Sequence, residues 1–439
     1  MTSVTFYGGV GEIGGNKILV EDKGTRIFLD FGMSFKAEKT FYSPPFLSPK
    51  SGNALVEMGI LPKVDGLYEF DDSKASIDAV FISHAHLDHY GHVSMLKREI
   101  PIYCGETTRT IIEASAMTRQ SNFESDLEGM QWKTFRTGKK MNIGSIQVEP
   151  IHVDHSVPGA YGFLVHTSSG TIIYTGDFRI HGPRKDMSEE FVEKAAETDP
   201  IAILTEGTNL TGAEISSEAE VSDKLSRLVK ATKGIVLAEF SKSDTDRLTS
   251  FYSAAKSGSR SLAISMRQAY VLKALEKDPK LKLPRLSDKN LLVFRRAKKK
   301  YYPWEKEVMN EANVIDSVKL SKLQNETVLV TSLADFEELI EIKPASGSCY
   351  VLSASEPFNE EMEIDFDKLR SWLAHYGIVQ YHIHVSGHIM PLQLREALQN
   401  IEAKKIFPIH NEHPELFAKF VSGMKSDVVV AEKGMSYKL

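Results

Sequence analysis

Residues 84–89 read His84-Ala85-His86-Leu87-Asp88-His89, directly after the apolar run Ala79–Ile82. Alternate side chains of an extended strand point the same way, so His84 and His86 can share one ligand position. Asp88 and His89 then open a turn and can reach a second position. The plain alternative is a set of polar residues at an exposed strand-helix turn. It leaves three imidazoles and a carboxylate with no packing purpose. A chain built around this segment needs a buried strand that ends at a cleft, which points to an α/β framework.

Three more strand ends carry residues of the same chemical type. His155 stands in Ile151-His152-Val153-Asp154-His155-Ser156-Val157-Pro158-Gly159, Asp177 in Tyr174-Thr175-Gly176-Asp177-Phe178-Arg179, and His410 in Phe407-Pro408-Ile409-His410-Asn411-Glu412. Each follows an apolar stretch. Histidine and carboxylate without thiolate suit Zn²⁺ or Mn²⁺ in a catalytic site, where protein ligands leave a position open for water. The two cysteines, Cys104 and Cys349, are far apart and lack metal-type spacing. Neither a disulfide framework nor a thiolate zinc site is therefore expected, and a reducing cytoplasm fits.

The 439-residue chain has the length for two domains or one split domain, since single cores rarely grow beyond ~250–300 residues. Short apolar strands separated by glycine-rich turns are expected at 4–7, 17–20, 26–31, 79–82, 145–151, 162–166 and 171–174, with few helices before residue 185. Helix-like and strand-like segments then alternate: 188–198, 201–205, 218–231, 234–239, 244–256, 261–264 and 267–276. That alternation predicts parallel α/β units. Further on come strand 327–331, helix 334–340, strand 349–353, helix 365–375, strand 380–384, helix 392–401 and strand 405–409. No long linker separates the two styles, so the middle reads as an insertion. No stretch approaches the ~18 apolar residues of a membrane span, and the amino terminus lacks a signal-peptide pattern.

Asp30, the His84–His89 segment, His155 and Asp177 resemble, in order, the ligand motifs of the metallo-β-lactamase superfamily. The resemblance implies an αββα sandwich with one metal at His84, His86, His155 and Asp177 and a second at Asp88, His89, Asp177 and His410, Asp177 bridging. Asp30's counterpart there mainly supports the ligands. Glu206 in Leu204-Thr205-Glu206-Gly207-Thr208-Asn209, the His384-Val385-Ser386-Gly387-His388 segment and His410 are similar to the A, B and C motifs of β-CASP nucleases. In that family a β-CASP α/β domain interrupts the lactamase fold, which implies domains at 1–206, 207–375 and 376–439. The opening Gly8-Gly9-Val10-Gly11-Glu12-Ile13-Gly14-Gly15-Asn16, the segment 154–158 and Pro357-Phe358-Asn359-Glu360 look most like the ribonuclease J family, in its short archaeal form without a further carboxy-terminal domain.

From that family follow two divalent cations, Zn²⁺ or Mn²⁺, a single-stranded RNA substrate, a homodimer, no membrane and a cytoplasmic location. Asp88, Glu206 and His388 are the implied catalytic groups. His384, Ser386 and Gly387 would contact substrate. Ser241, Ser243 and Arg247 lie where the family places a 5′-phosphate pocket, although the spacing here is one residue longer than the bacterial pattern. The leading expectation is a 5′-to-3′ exoribonuclease on 5′-monophosphate RNA. A β-CASP endoribonuclease, an inactive RNA-binding protein and a hydrolase of small esters are the alternatives. A net charge of -6 argues against a generally basic nucleic-acid coat, so RNA must be held by local charge or bound cations.

Two other features have readings of their own. Gly9-Val10-Gly11-Glu12-Ile13-Gly14 matches G-x-G-x-x-G, but a strand rather than a helix is expected after it, which excludes a dinucleotide loop in favour of a tight turn near the site. The stretch Arg295-Arg296-Ala297-Lys298-Lys299-Lys300-Tyr301-Tyr302-Pro303-Trp304 is either an RNA contact or a solvated basic helix end.

Overall fold

The structure is a computed structural model that describes residues 1–439 other than 45, 120–122, 213–215 and 355–359. The ribonuclease J-like segment 357–360 therefore lies outside the described residues, apart from the helical backbone at Glu360. Two compact units result, Met1–Ala213 with Gly387–Leu439, and Glu214–Ser386.

The first unit holds two sheets. One runs in spatial order Ser436–Lys438, Thr2–Gly8, Lys17–Asp22, Thr25–Leu29, Ala79–Ile82, Pro101–Gly105 and Gln131–Phe135. The other runs Asp427–Val428, Lys405–Ile409, Ala202–Glu206, Gly170–Tyr174, Tyr161–Thr167, Ile146–His152 and Met141–Ile143. Side chains two apart form the shared core: Val4 and Phe6, Ile18 and Val20, and Ile27 and Leu29 from one sheet meet Phe163 and Val165, Ile172 and Tyr174, and Phe407 and Ile409 from the other. The intervening residues Ile173, Ile203 and Ile406 turn the opposite way. There they pack under helices Lys185–Ala196, Pro391–Ile401 and Pro414–Phe420 through Phe191, Leu394, Leu398 and Phe417. Full burial of each such side chain contributes ~1.5–3 kcal/mol, so a one-residue register slip that turned Ile172 and Tyr174 outward is strongly disfavoured.

The chain's last segment completes both sheets. Lys405–Ile409 pairs in parallel with Ala202–Glu206, and Ser436–Lys438 pairs antiparallel with Thr2–Gly8, Val4 opposite Tyr437. This is the metallo-β-lactamase sandwich expected from the sequence.

The second unit is a parallel sheet in the order Val314–Ile315, Leu291–Phe294, Ser261–Ser265, Thr327–Val330, Val236–Glu239, Cys349–Leu352 and Val379–His382. Its central strands are buried nearly end to end, as strands covered by helices on both faces must be. Leu237, Leu329, Tyr350 and Leu352 pack with Phe336, Leu369 and Leu373 on one side. A parallel α/β unit set between two stretches of the sandwich is consistent with a β-CASP insertion.

Some expectations need correcting. Helix Glu106–Met117 falls where few helices were expected. Its buried face includes Thr107, Thr108 and Ser115 beside Ile111 and Ile112, so the helical period is written partly in hydroxyl residues that an apolar count passes over. The helix expected at 334–340 is a 3₁₀ segment, Leu333–Glu338, running into the short helix Leu339–Ile342. Strands Pro101–Gly105, Gln131–Phe135 and Leu291–Phe294 were not anticipated. Among the described residues no helix is long and apolar enough to cross a membrane.

Candidate metal centre

Parallel neighbours in a sheet deliver their carboxyl ends to the same side, and this places the polar residues of the first unit. Gly170–Tyr174, Ala202–Glu206 and Lys405–Ile409 are parallel neighbours and lead to Asp177, Glu206 and His410. Thr25–Leu29 and Ala79–Ile82, parallel in the facing sheet, lead to Asp30 and His84. The turn into Asp177 passes through Gly176 at φ 55°, where a Cβ would stand 3.0 Å from Ser83 Cβ. Glycine is required there.

His84, His86, His155 and Asp177 bring one ligand atom each into a common position. His84 Nε2 and His155 Nε2 both lie 3.1 Å from His86 Nδ1, and His84 Nε2 is 3.5 Å from Asp177 Oδ2. The far side of each ring shows which nitrogen carries hydrogen. His155 Nδ1 donates to the Gly387 carbonyl at 2.7 Å. Ser83 Oγ donates to Asp30 Oδ2 at 2.7 Å and so accepts from His84 Nδ1 at 3.0 Å. Both Nε2 atoms thus turn lone pairs inward. Burial keeps these rings neutral, lowering His84 and His155 well below the usual histidine range and His86 to about 4.

Asp88, His89 and His410 form the neighbouring group. His89 Nδ1 donates to Asp30 Oδ2 at 2.6 Å, which leaves Nε2 facing Asp177 Oδ2 at 3.1 Å. His410 Nε2 lies 3.1 Å from Asp88 Oδ2 and 3.7 Å from Asp177 Oδ2. Burial opposes charge on His89, but Asp177, Asp30 and Asp88 outweigh it and raise its pKa well above normal. Burial likewise works against the Asp177 carboxylate, and His410, His89 and His388 overcome it. Asp177 sits between the groups, and its buried Oδ1 has no hydrogen-bond partner among the described residues. Converging lone pairs, a partnerless carboxylate oxygen and an all-imidazole and carboxylate donor set fit divalent cations. Asp30, held also by Ser83 N at 2.7 Å and Tyr174 OH at 2.5 Å, orients His89 from behind rather than joining either group.

His388 lies beside these groups. Its Nδ1 is 3.0 Å from Glu206 Oε2 and 3.8 Å from Asp177 Oδ2. Burial disfavours its charge, yet Glu206 and Asp177 push its pKa up to about 9. Glu206 is fixed by Phe178 N on Oε1 at 2.8 Å and by Thr208 Oγ1 on Oε2 at 2.8 Å.

The glycine-rich loop meets the site as a turn followed by strand Lys17–Asp22. Gly14, at φ 80°, passes so close that a Cβ would lie 2.7 Å from Asp88 Oδ2, and Gly9 O accepts His410 N at 2.6 Å. Asn16 Nδ2, missed from sequence, stands 3.2 Å from His89 Nε2. Gly387, expected as a substrate contact, anchors His155 through its carbonyl, and a Cβ there would be 2.9 Å from Ser156 Oγ. Ser83 and Thr208 were also missed, although each lies within two residues of a motif residue.

The other expected substrate residues belong to the second unit. Ser241 and Ser243 stand 3.2 Å apart, Oγ to Oγ, just before helix Thr245–Ser257, whose amino end is capped by the Asp244 carboxylate. Arg247 is fully buried there, its guanidinium on Glu218 Oε1 at 3.0 Å, on Ser353 and on Val385 O at 3.4 Å. His384 Nδ1 lies 3.3 Å from Arg247 Nη1, and burial, reinforced by that arginine, lowers His384 to about 3. Ser386 is half-buried. In the basic stretch, Arg295, Arg296 and Lys298 pair with Asp316, Asp335 and Glu305, while Lys299 and Lys300 are exposed.

Comparison with known proteins agrees with this geometry. Residues 68–206 match the beta-lactamase superfamily domain. The ribonuclease J of Sinorhizobium meliloti is 26% identical over 96% of this chain and 71% of its own length, and that of Mycolicibacterium smegmatis 24% over 99% and 74%. The Helicobacter pylori ribonuclease J is 26% identical, and this chain spans 56% of its length. A crystal structure of a protein of unknown function from Enterococcus faecalis superposes over 100% of both chains with a TM-score of 0.78 at 23% identity. Residues 68–206 thus match the beta-lactamase superfamily domain within a metallo-β-lactamase sandwich that carries His/Asp groups fit for metal, and the chain has distant full-length similarity to ribonuclease J.

Proposed function

We propose that this protein is a two-metal ribonuclease, cutting single-stranded RNA from a 5′-monophosphate end in the 5′-to-3′ direction. The observation that carries the reading is Asp177, which joins the His84, His86 and His155 group and lies 3.1 Å from His89 Nε2 and 3.7 Å from His410 Nε2 of the other, beside the His388–Glu206 pair, 3.0 Å apart. His84, His86, His155 and Asp177 would hold one cation, and Asp88, His89, His410 and Asp177 the other. When bound, such cations lower the pKa of water and neutralise phosphate oxygens, which an acidic chain needs in order to hold RNA. His388, kept protonated by Glu206, donates a hydrogen bond to the phosphate as negative charge builds and delivers a proton to the leaving oxygen. Glu206 holds the ring through Nδ1, leaving Nε2 to face substrate. Asp30, Ser83 and Gly387 fix ring orientations in advance, so little reorganisation is needed. The Glu214–Ser386 unit is the proposed β-CASP insertion and RNA-binding partner of the sandwich, in a homodimer of the cytoplasm.

An endoribonuclease is the second reading. Arg247, expected in the 5′-phosphate pocket, is buried on Glu218, and Asp244 puts a carboxylate at the same helix end. The test is cleavage of one internally labelled RNA as a linear 5′-monophosphate, a linear 5′-triphosphate and a closed circle, with Zn²⁺ or Mn²⁺. Mononucleotides from the monophosphate with an intact circle support the exonuclease; opening of the circle supports the endonuclease. No cleavage of any form with either metal removes the ribonuclease reading.

A further inference from the structure

Thr208 lies at a junction that the metal groups and the acid pair both touch. Its Oγ1 is 2.8 Å from Glu206 Oε2, 2.8 Å from His410 Nδ1, 3.3 Å from His388 Nδ1 and 3.3 Å from His410 O. A threonine hydroxyl has one proton to give and lone pairs to receive. The Glu206 carboxylate can only accept, so the proton goes to it. Oγ1 then accepts from His410, which places hydrogen on Nδ1 and makes Nε2, 3.1 Å from Asp88 Oδ2, the nitrogen that faces the second cation position. An Nδ1 without hydrogen would set two lone pairs against each other at 2.8 Å.

Backbone geometry fixes both partners. His410 has φ 47°, a strained value for this residue type, with its N–H on Gly9 O at 2.6 Å. Asn209 Nδ2, next to Thr208, donates to His388 O at 2.9 Å. One short segment after strand Ala202–Glu206 therefore holds His388 and His410 together.

We infer that Thr208 is a positioning residue that sets the His410 tautomer and ties the second cation position to the Glu206–His388 pair. The inference rests on the two-metal reading above. Ser83 plays the corresponding part for His84, donating to Asp30 and accepting from Nδ1. The chain thus uses one construction twice, a hydroxyl between a carboxylate and a ligand imidazole.

The test is Zn²⁺ titration of wild type, Thr208→Val and Thr208→Ser against a competing chelator, with ¹⁵N resonances of the histidine rings recorded on metal-free protein. Wild type takes up two Zn²⁺. In Thr208→Val, which keeps shape and loses the hydroxyl, one of the two weakens by ~10–100-fold while the other is unchanged, and the His410 ring loses its Nδ1–H signature. Thr208→Ser restores both. Equal affinities in wild type and Thr208→Val, or a Thr208→Ser as weak as Thr208→Val, overturn the role of Thr208 and leave the two-metal reading standing. A wild type that binds fewer than two Zn²⁺ removes that reading and the inference with it.

Discussion

Both units place polar side chains where strands end or helices begin, and treat them in opposite ways. In the sandwich they converge: imidazole lone pairs face one another, His89 faces a carboxylate, and Asp177 Oδ1 has no hydrogen-bond partner among the described residues. In the parallel-sheet unit most of them pair internally, although Arg247 Nε and Thr245 Oγ1 have no hydrogen-bond partner among the described residues. The Glu239 carboxyl, raised by burial, takes the Tyr350 hydroxyl, Arg247 sits on Glu218 and Ser353, and Arg260 caps the Gly234 carbonyl at 2.7 Å. Buried polar groups are normally paired because an unpaired one costs about 1–3 kcal/mol. A fold that turns imidazole and carboxylate lone pairs toward one another in one place does so for a ligand, whereas the second unit uses the same residue types chiefly as internal braces.

That contrast predicts opposite phenotypes. Asp177→Asn lowers RNA cleavage by more than ~10³-fold, because both cation positions lose a ligand. Cleavage by Asp177→Asn within ~10-fold of wild type would break the contrast from one side. Arg247→Met breaks it from the other if it leaves stability intact. The expected loss is ~3–5 kcal/mol in urea unfolding, because Glu218 loses its arginine inside the unit.

Glu206→Gln separates ligand from proton donor within the sandwich. Metal content stays at two while cleavage falls by ~10²-fold and the alkaline limb of the rate profile moves to lower pH, as His388 loses the charge that holds its proton. Metal analysis beside initial rates decides the point; loss of a metal would mean that Glu206 serves the cations.

The smallest effect concerns Lys17 and Glu38, buried groups of the sandwich away from the cation positions. Burial lowers Lys17 from 10.5 to about 7 against the pull of Glu12, and raises Glu38 from 4.5 to about 7 against that of Lys17. Between pH 7 and 10.5 the unfolded chain binds more protons than the folded one at Lys17, so stability rises with pH. Between pH 4.5 and 7 the folded chain binds more at Glu38, so stability falls with rising pH. Metal-free protein should show a stability trough near neutrality, with ~2 kcal/mol gained from pH 7 to 9. Lys17→Met flattens the alkaline side and Glu38→Gln the acid side. A flat profile for wild type would contradict the burial of both charges.

How much of this the sequence contained depended on the reach of each signal. The strand alternation and the His84–His89 segment are local, and period two alone predicts that His84 and His86 share a position. The sandwich was legible because its core strands are apolar at every second residue. Helix Glu106–Met117 was not, because threonine and serine fill half of its inner face. Thr208, Ser83, Asn16 and the Gly387 carbonyl escaped for another reason. Each acts through a residue distant in sequence, His155 on Gly387 being 232 residues apart, and hydroxyl or carbonyl partners leave no compositional mark. Arg247 shows the converse: the segment around it pointed outward to a phosphate, and only the pairing with Glu218 gives its direction.

The most direct measurement is anomalous scattering at the zinc edge from crystals grown with Zn²⁺. Two peaks are expected in the sandwich unit, one among His84, His86 and His155, the other among Asp88, His89 and His410, both against Asp177. A single peak away from Asp177, or none at these residues, would contradict a two-metal centre.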